Sequence, residues 1–558
     1  MLILTAAAFL VNAAGTFTLL EVNPQHGHTL SSPFNSFNDS SRTIYGAGEL
    51  SNITELNGSL YFVAHDSVSN DELWTSDGTQ QGTHLVKDIN PTGSAQIGDV
   101  FKVGNKLVFL ATDGSNWGSF DLFTSDGSES GTQKIADLNL NWNLALEGSV
   151  VIGDKLYFNT ATDLMCTDGT ATGTNSVISL QGCSLQPNNF CSFNGATYFV
   201  MGGATGRSEI WTTDGTVSGT QRFIDFSTDT IHNIWSVSNM LVFDNKLFIA
   251  ASGNGTGLFS IGNNRELIPV TLPGSNLANM SYPGSLIVEN DQLFFTDYNG
   301  NFSNMYLYHM RAGGTAPEIV PSAVNAPVNT NNGLSIYNNS IYYVGDNPQQ
   351  IHSINLSTLA HSEIDLPNHS IPNYGSLKGF LVGTGGKIFF PAYETATGKQ
   401  VLLESDGSTA GTHPIMPADA NTDHPFNFIG GCGTQDIFDL KLWGNKVVLP
   451  ANFNDAGREL WIYEAEDMAS GIPTVANDSK VHIFPNPVSK ELNFTIANLT
   501  GEQTSVRITD MKGQLVGQKT VKGEASSMDV SDLAAGNYLI TFLSDSKVTT
   551  AKKFVVVK

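Results

Sequence analysis

The 558-residue sequence contains few charged residues for its length. Charged residues make up 14% of the chain, hydrophobic residues make up 40%, and there are 55 glycines. This balance excludes a disordered chain, which needs high charge and few apolar residues, and indicates a turn-rich globular protein. The length also excludes a single hydrophobic core. We therefore expect several domains or a repeat architecture.

Cysteine is scarce as well. The four cysteines, Cys166, Cys183, Cys191 and Cys432, are too few for a disulfide framework. No pair has the Cys-x-x-Cys spacing of a zinc site or redox motif. Cys183 and Cys191 are near enough in sequence to close one loop if the compartment is oxidising. The other two are expected as buried thiols.

Basic residues are outnumbered by acidic ones. The chain has 27 Lys and Arg against 52 Asp and Glu, a net charge of -25. Residues 1–478 carry a net -28, whereas residues 479–558 carry +3. An acidic surface of this size repels phosphate backbones, so nucleic acid is excluded as a partner. Solubility outside the cell is the simplest use of this charge, and cation binding is the alternative.

Catalytic motifs are missing. The chain lacks Gly-x-Ser-x-Gly, His-Glu-x-x-His and the phosphate-binding Gly-x-x-x-x-Gly-Lys-Ser/Thr. The twelve histidines are scattered, and none has a strand or helix spacing that pairs it with another ligand, so each is expected as a surface or hydrogen-bonded residue. Neighbouring carboxylates such as Asp71 and Glu72 point to opposite faces of a strand. The sequence therefore offers no catalytic residue.

Long hydrophobic runs are absent except at the start. Residues 1–14 form an apolar run that ends in Asn-Ala-Ala, which is typical of a secretory signal peptide. The basic residues that usually precede such a run are missing, so we expect the natural start to lie further upstream. No other stretch approaches the roughly 18 apolar residues that cross a bilayer. Export without a membrane span is the expectation.

The sequence does contain a repeat. A Gly or Asn turn followed by a short apolar run rich in Phe and Tyr occurs nine times, mostly at intervals of 41 to 50 residues. Five copies are followed by a second element, of which residues 72–79 (ELWTSDGT) are the fullest form. In each, an Asp precedes a Gly-Thr pair by five residues: Asp77, Asp126, Asp168, Asp214 and Asp406. Asp-Gly between two β-prone segments predicts a hairpin.

Each unit of about 47 residues is predicted to form four short strands, as in a β-propeller blade. Residues 16–24 match an isolated fourth strand, and the last unit, residues 438–464, lacks one. We therefore predict an all-β fold: a β-propeller of about eight to nine four-stranded blades over residues 15–464, closed by its N-terminal strand. The units resemble the ELWxxDGT-type repeat proteins of secreted bacterial origin. That resemblance implies an extracellular propeller-like fold and no settled activity.

Residues 465–478 are small and polar and are predicted to form a linker. Beyond them, residues 479–558 contain about seven short alternating segments, which predict a small Ig-like β-sandwich. The stretch contains, in order, the motifs FPNP, ITDMKG, AAGNYL and KKF, which include Pro485, Asn486, Pro487, Asp510, Gly513, Gly536, Tyr538 and Lys553. In these motifs it resembles the type A sorting domain of the type IX secretion system of Bacteroidota.

The sorting resemblance implies a route for the protein. It implies passage to the periplasm through the N-terminal signal, recognition by the outer-membrane translocon, and removal of the domain. The remaining protein would then be extracellular or attached to the cell surface. An ordinary adhesion sandwich is the alternative for this domain.

No cofactor is expected, and calcium is the only candidate metal. Each Asp-Gly turn offers one carboxylate, whereas calcium takes six to eight oxygens, so capping of the hairpin's own backbone is the better use. Asp297, Asn299 and Asn301 place oxygens at alternate positions, as a calcium loop does. They lack the later glutamate and the glycine at the sixth position of such a loop.

Ligand binding is expected on irregular loops at the propeller face opposite the Asp-Gly turns. Trp117, Trp142 and Trp235 lie in or near such loops and are candidates to stack on sugar rings, although core packing explains a propeller tryptophan equally well. We predict a secreted or surface-attached propeller that binds an extracellular glycan or protein. The alternatives are a carbohydrate-active hydrolase or lyase with carboxylates at the channel mouth, and a surface adhesion or structural component.

Overall fold

A computed structural model describes most of the chain. The described residues are 15–20, 22, 53–66, 68, 70–115, 119–140, 149–181, 183, 187–253, 257–262, 265–271, 284–298, 305–314, 316–320, 334–345, 347–371, 381–398, 400–417, 420, 440–451, 453, 459–465, 481–484, 488–496, 504–510, 515–521, 525–534, 536–544 and 547–557. The chain divides into two compact units, Met1–Glu464 and Ala465–Lys558.

The N-terminal unit is built from small antiparallel sheets of consecutive strands. Strand β1 (Thr16–Leu20) precedes them. Sheet 1 contains β2 (Thr54–Leu56), β3 (Ser59–Asp66), β4 (Asn70–Ser76) and β5 (His84–Lys87). Sheet 2 contains β6 (Val100–Val103), β7 (Lys106–Ala111), β8 (Phe120–Ser125) and β9 (Gln133–Leu140). Sheet 3 contains β10 (Val150–Ile152), β11 (Lys155–Asn159), β12 (Asp163–Thr167) and β13 (Asn175–Ser179).

The next three sheets repeat this plan. Sheet 4 contains β14 (Asn188–Phe193), β15 (Ala196–Gly202), β16 (Ser208–Thr213) and β17 (Gln221–Asp225), and the short 3-10 helix η1 (Phe226–Thr228) follows it. Sheet 5 contains β18 (Ile234–Phe243), β19 (Lys246–Gly253), β20 (Gly257–Ile261) and β21 (Leu267–Pro269). Sheet 6 contains β22 (Gly284–Glu289), β23 (Gln292–Tyr298), β24 (Met305–Arg311) and β25 (Glu318–Ile319).

The last three sheets include one with an extra short strand. Sheet 7 contains β26 (Ser335–Tyr337), β27 (Ser340–Val344), β28 (Gln350–Asn355) and β29 (His361–Asp365). Sheet 8 contains β30 (His369–Ser370), β31 (Val382–Thr384), β32 (Lys387–Glu394), β33 (Gln400–Ser405) and β34 (His413–Ile415). Sheet 9 contains β35 (Lys441–Trp443), β36 (Lys446–Ala451), β37 (Glu459–Glu464) and, as its fourth strand, β1.

The second strand of each sheet is apolar on both faces because neighbouring sheets cover both sides. In β7, for example, every residue from Leu107 to Ala111 is buried. Leu107 and Phe109 pack in one cluster with sheet 1, and Val108 and Leu110 pack in another with sheet 3. This double burial explains why these strands appear in the sequence as continuous apolar runs, without the alternation of a half-exposed strand.

Within the described residues, each of the nine sheets packs on the next in chain order. Shared apolar clusters join sheets 1 through 8 in succession. Sheets 8 and 9 meet through Phe389 and Tyr463, whose ring centroids are 5.5 Å apart. Sheet 9 in turn packs on sheet 1, since Val448 and Ile462 share a cluster with Leu60 and Phe62.

Strand β1 completes sheet 9. It pairs antiparallel with β37, so that Thr16 lies opposite Glu464 and Leu19 opposite Trp461. The predicted pairing of the N-terminal segment with the sheet that holds Trp461 is confirmed. The prediction of an all-β fold made of repeated four-stranded sheets is confirmed as well.

The C-terminal unit has seven described strands. They are β38 (Val481–Phe484), β39 (Glu491–Ile496), β40 (Thr504–Asp510), β41 (Leu515–Val521), β42 (Ala525–Asp529), β43 (Gly536–Ser544) and β44 (Lys547–Val556). One sheet has the order β38-β39-β42 and the other β41-β40-β43-β44. Both contribute to one apolar core, in which Phe494 and Phe542 make an edge-to-face contact at 5.2 Å. Two packed sheets agree with the expected sandwich.

Candidate functional site

The Asp-Gly loops between third and fourth strands hold themselves together. In sheet 1, Asp77 Oδ1 accepts hydrogen bonds from the backbone N–H of Thr79 at 2.9 Å and from the Thr79 hydroxyl at 2.7 Å. The Thr79 hydroxyl oxygen accepts one from the Gly82 N–H at 3.0 Å. The hydrogen bonds from Thr79 lower the pKa of the Asp77 carboxyl. Asp126, Asp168, Asp214 and Asp406 make the same contacts, so these carboxylates cap their own hairpins, as predicted.

The spacing of five residues between Asp and Gly has a steric cause. Gly82 lies directly against the Asp77 carboxylate, and a Cβ at this position would overlap it. The same holds for the equivalent glycines: Gly131, Gly173, Gly219 and Gly411. Because the strands are antiparallel, these loops lie at the same end of each sheet as the turn between its first two strands.

An acidic residue at the start of the third strand fixes the end of the fourth. Glu72 is fully buried and accepts hydrogen bonds from the backbone N–H groups of Ile89 at 3.0 Å and Asn90 at 3.2 Å. Burial raises the pKa of the Glu72 carboxyl to about 8. In sheet 9 the equivalent Glu459 accepts from the N–H of Val22 at 3.1 Å. These buried carboxyl groups therefore serve the fold, and Glu459 attaches the N-terminal segment.

One described loop at the opposite end of the sheets presents apolar side chains to solvent. It runs from η1, which follows sheet 4, to β18 of sheet 5, and it is anchored by Phe226 and Ile234, both fully buried. Ile231 lies between these anchors and is 83% exposed, and Trp235 directly follows Ile234 and is 56% exposed. We refer to Ile231 and Trp235 as the apolar pair.

The backbone beneath the apolar pair is fixed by hydrogen bonds. Asp229 Oδ1 accepts from the N–H groups of Ile231 and His232, each at 3.1 Å. Arg207, from the loop between β15 and β16, donates to the Ile234 carbonyl at 3.1 Å and to Asn233 Oδ1 at 2.6 Å. These hydrogen bonds fix the backbone from Ile231 to Ile234, directly before the exposed indole of Trp235.

The other predicted binding residues have different outcomes. Trp117, Trp142, Asn299 and Asn301 lie outside the described residues. Asp297 is fully buried within β23, opposite Tyr306. Burial, followed by the nearby charge of Asp297, raises the pKa of Tyr308 to about 12.

The sequence predicts that no histidine pairs with another potential metal ligand, and this prediction is wrong for sheet 7. His352 Nδ1 and His361 Nε2 lie 3.0 Å apart. Glu363 Oε1 lies 3.7 Å from the first nitrogen and 3.8 Å from the second. Burial, followed by repulsion from His361, lowers the pKa of His352. Among the described residues this is the one group of three His, Cys, Asp or Glu side chains with the spacing of metal ligands.

The described cysteines are free thiols. Cys183 and Cys191 are half-buried and are not joined to each other. Cys166 is buried, as predicted. Burial raises the pKa of Cys191 to about 12 and also raises that of Cys166, which makes both poor nucleophiles. Cys432 lies outside the described residues.

The predicted sorting residues fall partly on one sheet of the C-terminal unit. Asp510 pairs with Tyr538, Leu539 with Lys553, and Gly536 with Val556 across β40, β43 and β44. The Tyr538 hydroxyl donates to the Ala534 carbonyl at 2.9 Å. The remaining predicted positions, Pro485, Asn486, Pro487 and Gly513, lie outside the described residues.

Comparison with known families identifies this C-terminal unit. Residues 482–557 match the family model of the secretion system C-terminal sorting domain. The tail is similar to an export signal. The match indicates export through the type IX secretion system and a cell-surface or extracellular location. No described helix is long and apolar enough to cross a membrane.

Comparison with whole proteins gives only distant similarity. No curated protein matches the chain. A puromycin-hydrolyzing peptidase of Mycobacterium tuberculosis is 9% identical, with a TM-score of 0.37 over 64% of this chain and 57% of that one. A puromycin hydrolase is 10% identical, with a TM-score of 0.32 over 68% and 61%. The chain thus spans about 57–61% of the length of these structures, and similarity at this level supports no activity.

Proposed function

We propose that the N-terminal unit is a closed nine-bladed β-propeller that binds a neutral extracellular glycan through the apolar pair. The C-terminal sorting domain delivers it out of the cell. The resemblance of the repeats to ELWxxDGT-type proteins belongs to the same proposal, as does an origin in Bacteroidota.

The contacts between sheets support closure of the propeller. Each sheet packs on two others, and the cycle returns from sheet 9 to sheet 1. The closing sheet takes its fourth strand from the N-terminus, and Glu459 binds the Val22 N–H in the way that Glu72 binds Ile89. Radial repetition of this kind leaves only short sheet edges, which limits further pairing with other chains.

The exposure of Trp235 is the observation that carries the binding proposal. Trp235 is 56% exposed at the start of β18, beside a backbone that Arg207 already holds through the Ile234 carbonyl, so little of the backbone has to be ordered when a ligand covers the ring. The apolar face of a sugar ring stacks on such an indole, and Ile231 extends the surface. The net charge of -28 over residues 1–478 disfavours anionic glycans, so a neutral one is the expected ligand.

A glycan array with the full chain tests this proposal. The wild-type protein is compared with Trp235→Ala and with Val217→Ala. Val217 is the matched control because it is 68% exposed in an Asp-Gly loop, at the other end of the sheets. We expect Trp235→Ala to weaken binding by about tenfold or more and Val217→Ala to leave it unchanged.

Two outcomes would overturn the proposal. The first is that no neutral glycan binds the wild-type chain. The second is that Trp235→Ala binds as tightly as the wild type. Self-association of the purified chain together with the first outcome would favour the adhesion alternative.

A further inference from the structure

The two histidines and the glutamate of sheet 7 lie on one face of one strand pair. His352 is in β28 and lies directly opposite Glu363 in β29. His361 is two residues before Glu363 in the same strand, and side chains two residues apart point to the same face. The ring of His352 stacks on that of Tyr343, which belongs to the apolar core between sheets 6 and 7. The cluster therefore lies at the outer part of that interface, backed by aromatic packing.

The three ligand atoms have the dimensions of a metal site. The sides of the triangle that they form are 3.0, 3.7 and 3.8 Å. A point equidistant from the three corners of this triangle is about 2.1 Å from each, which is the length of Zn–N and Zn–O bonds. Two imidazoles and a carboxylate are also a ligand set that zinc uses in proteins.

Solvent exposure of the three side chains increases from His352 through His361 to Glu363. The side chain of His352 is 5% exposed, that of His361 16%, and that of Glu363 44%. An ion can therefore enter from the Glu363 side. In a neutral pair one ring carries its proton on the facing nitrogen. Metal binding requires that ring to adopt the other tautomer, with its proton on the remote nitrogen, so that both facing lone pairs reach the ion.

We propose that His352, His361 and Glu363 form a site for a divalent transition-metal ion, with Zn²⁺ as the expected ion. The ion cross-links the third strand of sheet 7 to its outer strand. Three protein ligands leave one position for water or for a group of a bound ligand, in contrast to a closed four-ligand structural site.

Calorimetric titration of the full chain with ZnCl₂ tests the site. The protein is purified without a histidine tag and treated with a chelator before titration. His361→Ala and Glu363→Gln are the test variants, since both side chains are more exposed than His352 and their loss threatens folding less. His309→Gln is the matched control: His309 is a buried third-strand histidine with Glu318 at 4.0 Å, but it belongs to no described group of three ligands.

The expected result is saturable binding of one Zn²⁺ per chain. His361→Ala and Glu363→Gln should weaken zinc binding by more than about tenfold. Loss of a residue that only hydrogen-bonds to a metal ligand already lowers metal affinity by about 10–100-fold, and these variants remove a ligand itself. His309→Gln should bind as the wild type does. Titration with Co²⁺ adds a spectroscopic readout, since the visible absorption of a four-coordinate site should appear in the wild type and not in His361→Ala.

Three results would overturn the proposal. They are the absence of saturable zinc binding, unchanged binding in His361→Ala, and equal loss of binding in His309→Gln. The first two remove the site, and the third places the ion elsewhere.

Discussion

Replacement of Leu20 by alanine tests how much the N-terminal strand stabilises the N-terminal unit. Leu20 is the last residue of β1 and is fully buried. It pairs with Leu460 of β37 and belongs to the apolar cluster that also contains Leu60 and Phe62 of sheet 1. The Leu20 side chain thus packs between β37 of sheet 9 and β3 of sheet 1.

The expected destabilisation follows from this burial. Leucine-to-alanine replacements in buried sites cost about 2–5 kcal/mol, which includes the cavity that remains, and we expect about 3 kcal/mol for Leu20→Ala. Urea unfolding followed by tryptophan fluorescence measures this change. All seven tryptophans lie between residues 74 and 461, so the signal reports the N-terminal unit alone.

Thr18→Ala is the control because Thr18 is exposed in the same strand. Its replacement should change the unfolding free energy by less than about 0.5 kcal/mol. If Leu20→Ala and Thr18→Ala have the same urea midpoint, β1 does not contribute to the folded unit, and the reasoning fails.

Three further predictions concern the repeat, the buried acid and the tail. Gly82→Ala should cost about 1–3 kcal/mol in the same urea assay because its Cβ overlaps the Asp77 carboxylate, whereas Gly98→Ala, where nothing lies within 4 Å, should be near neutral. Burial raises the pKa of Glu72 to about 8, so between about pH 4.5 and 8 the folded state keeps a proton that the unfolded state has released. The free energy of unfolding should therefore fall as pH rises from 5 to 8, and Glu72→Gln should flatten this fall. Removal of residues 482–557 should leave the protein in the periplasm, as cell fractionation would show.

The repeat was predictable because local chemistry dictates it. Asp-Gly turns cap their own backbone, and a five-residue spacing leaves room for the Asp carboxylate against a glycine such as Gly82. All the residues that make these contacts lie within one loop, so a local sequence pattern is enough to predict them. The role of β1 was predictable for a related reason: its residues match a fourth strand, and the last unit lacks one.

The paired histidines were not predictable from spacing alone. His352 and His361 are nine residues apart and meet only because β28 and β29 pair in one register. Sheet 7 has no Asp-Gly-Thr loop to indicate that register. Its turn uses Asn355, whose side chain accepts from the N–H groups of Ser357 and Thr358, and Leu359 at a φ of 57°. An Asn at the end of a strand, with Ser-Thr at the second and third positions after it, was the available signal.

The role of Glu72 was also missed. Its carboxylate acts on backbone groups 17 and 18 residues away, beyond the reach of a local pattern. The signal is the acidic residue that precedes Leu-Trp, which recurs as Glu459 in sheet 9.

Cross-linking of the first strand to the last sheet tests closure of the propeller most directly. Thr16 lies opposite Glu464, and opposed residues of an antiparallel pair are close enough for a disulfide. The double variant Thr16→Cys with Glu464→Cys should form this bond under mild oxidation, and mass spectrometry of the digested protein should detect the linked peptides. Absence of the link, or equal linking in the out-of-register pair Thr18→Cys with Glu464→Cys, would contradict a ring closed by β1.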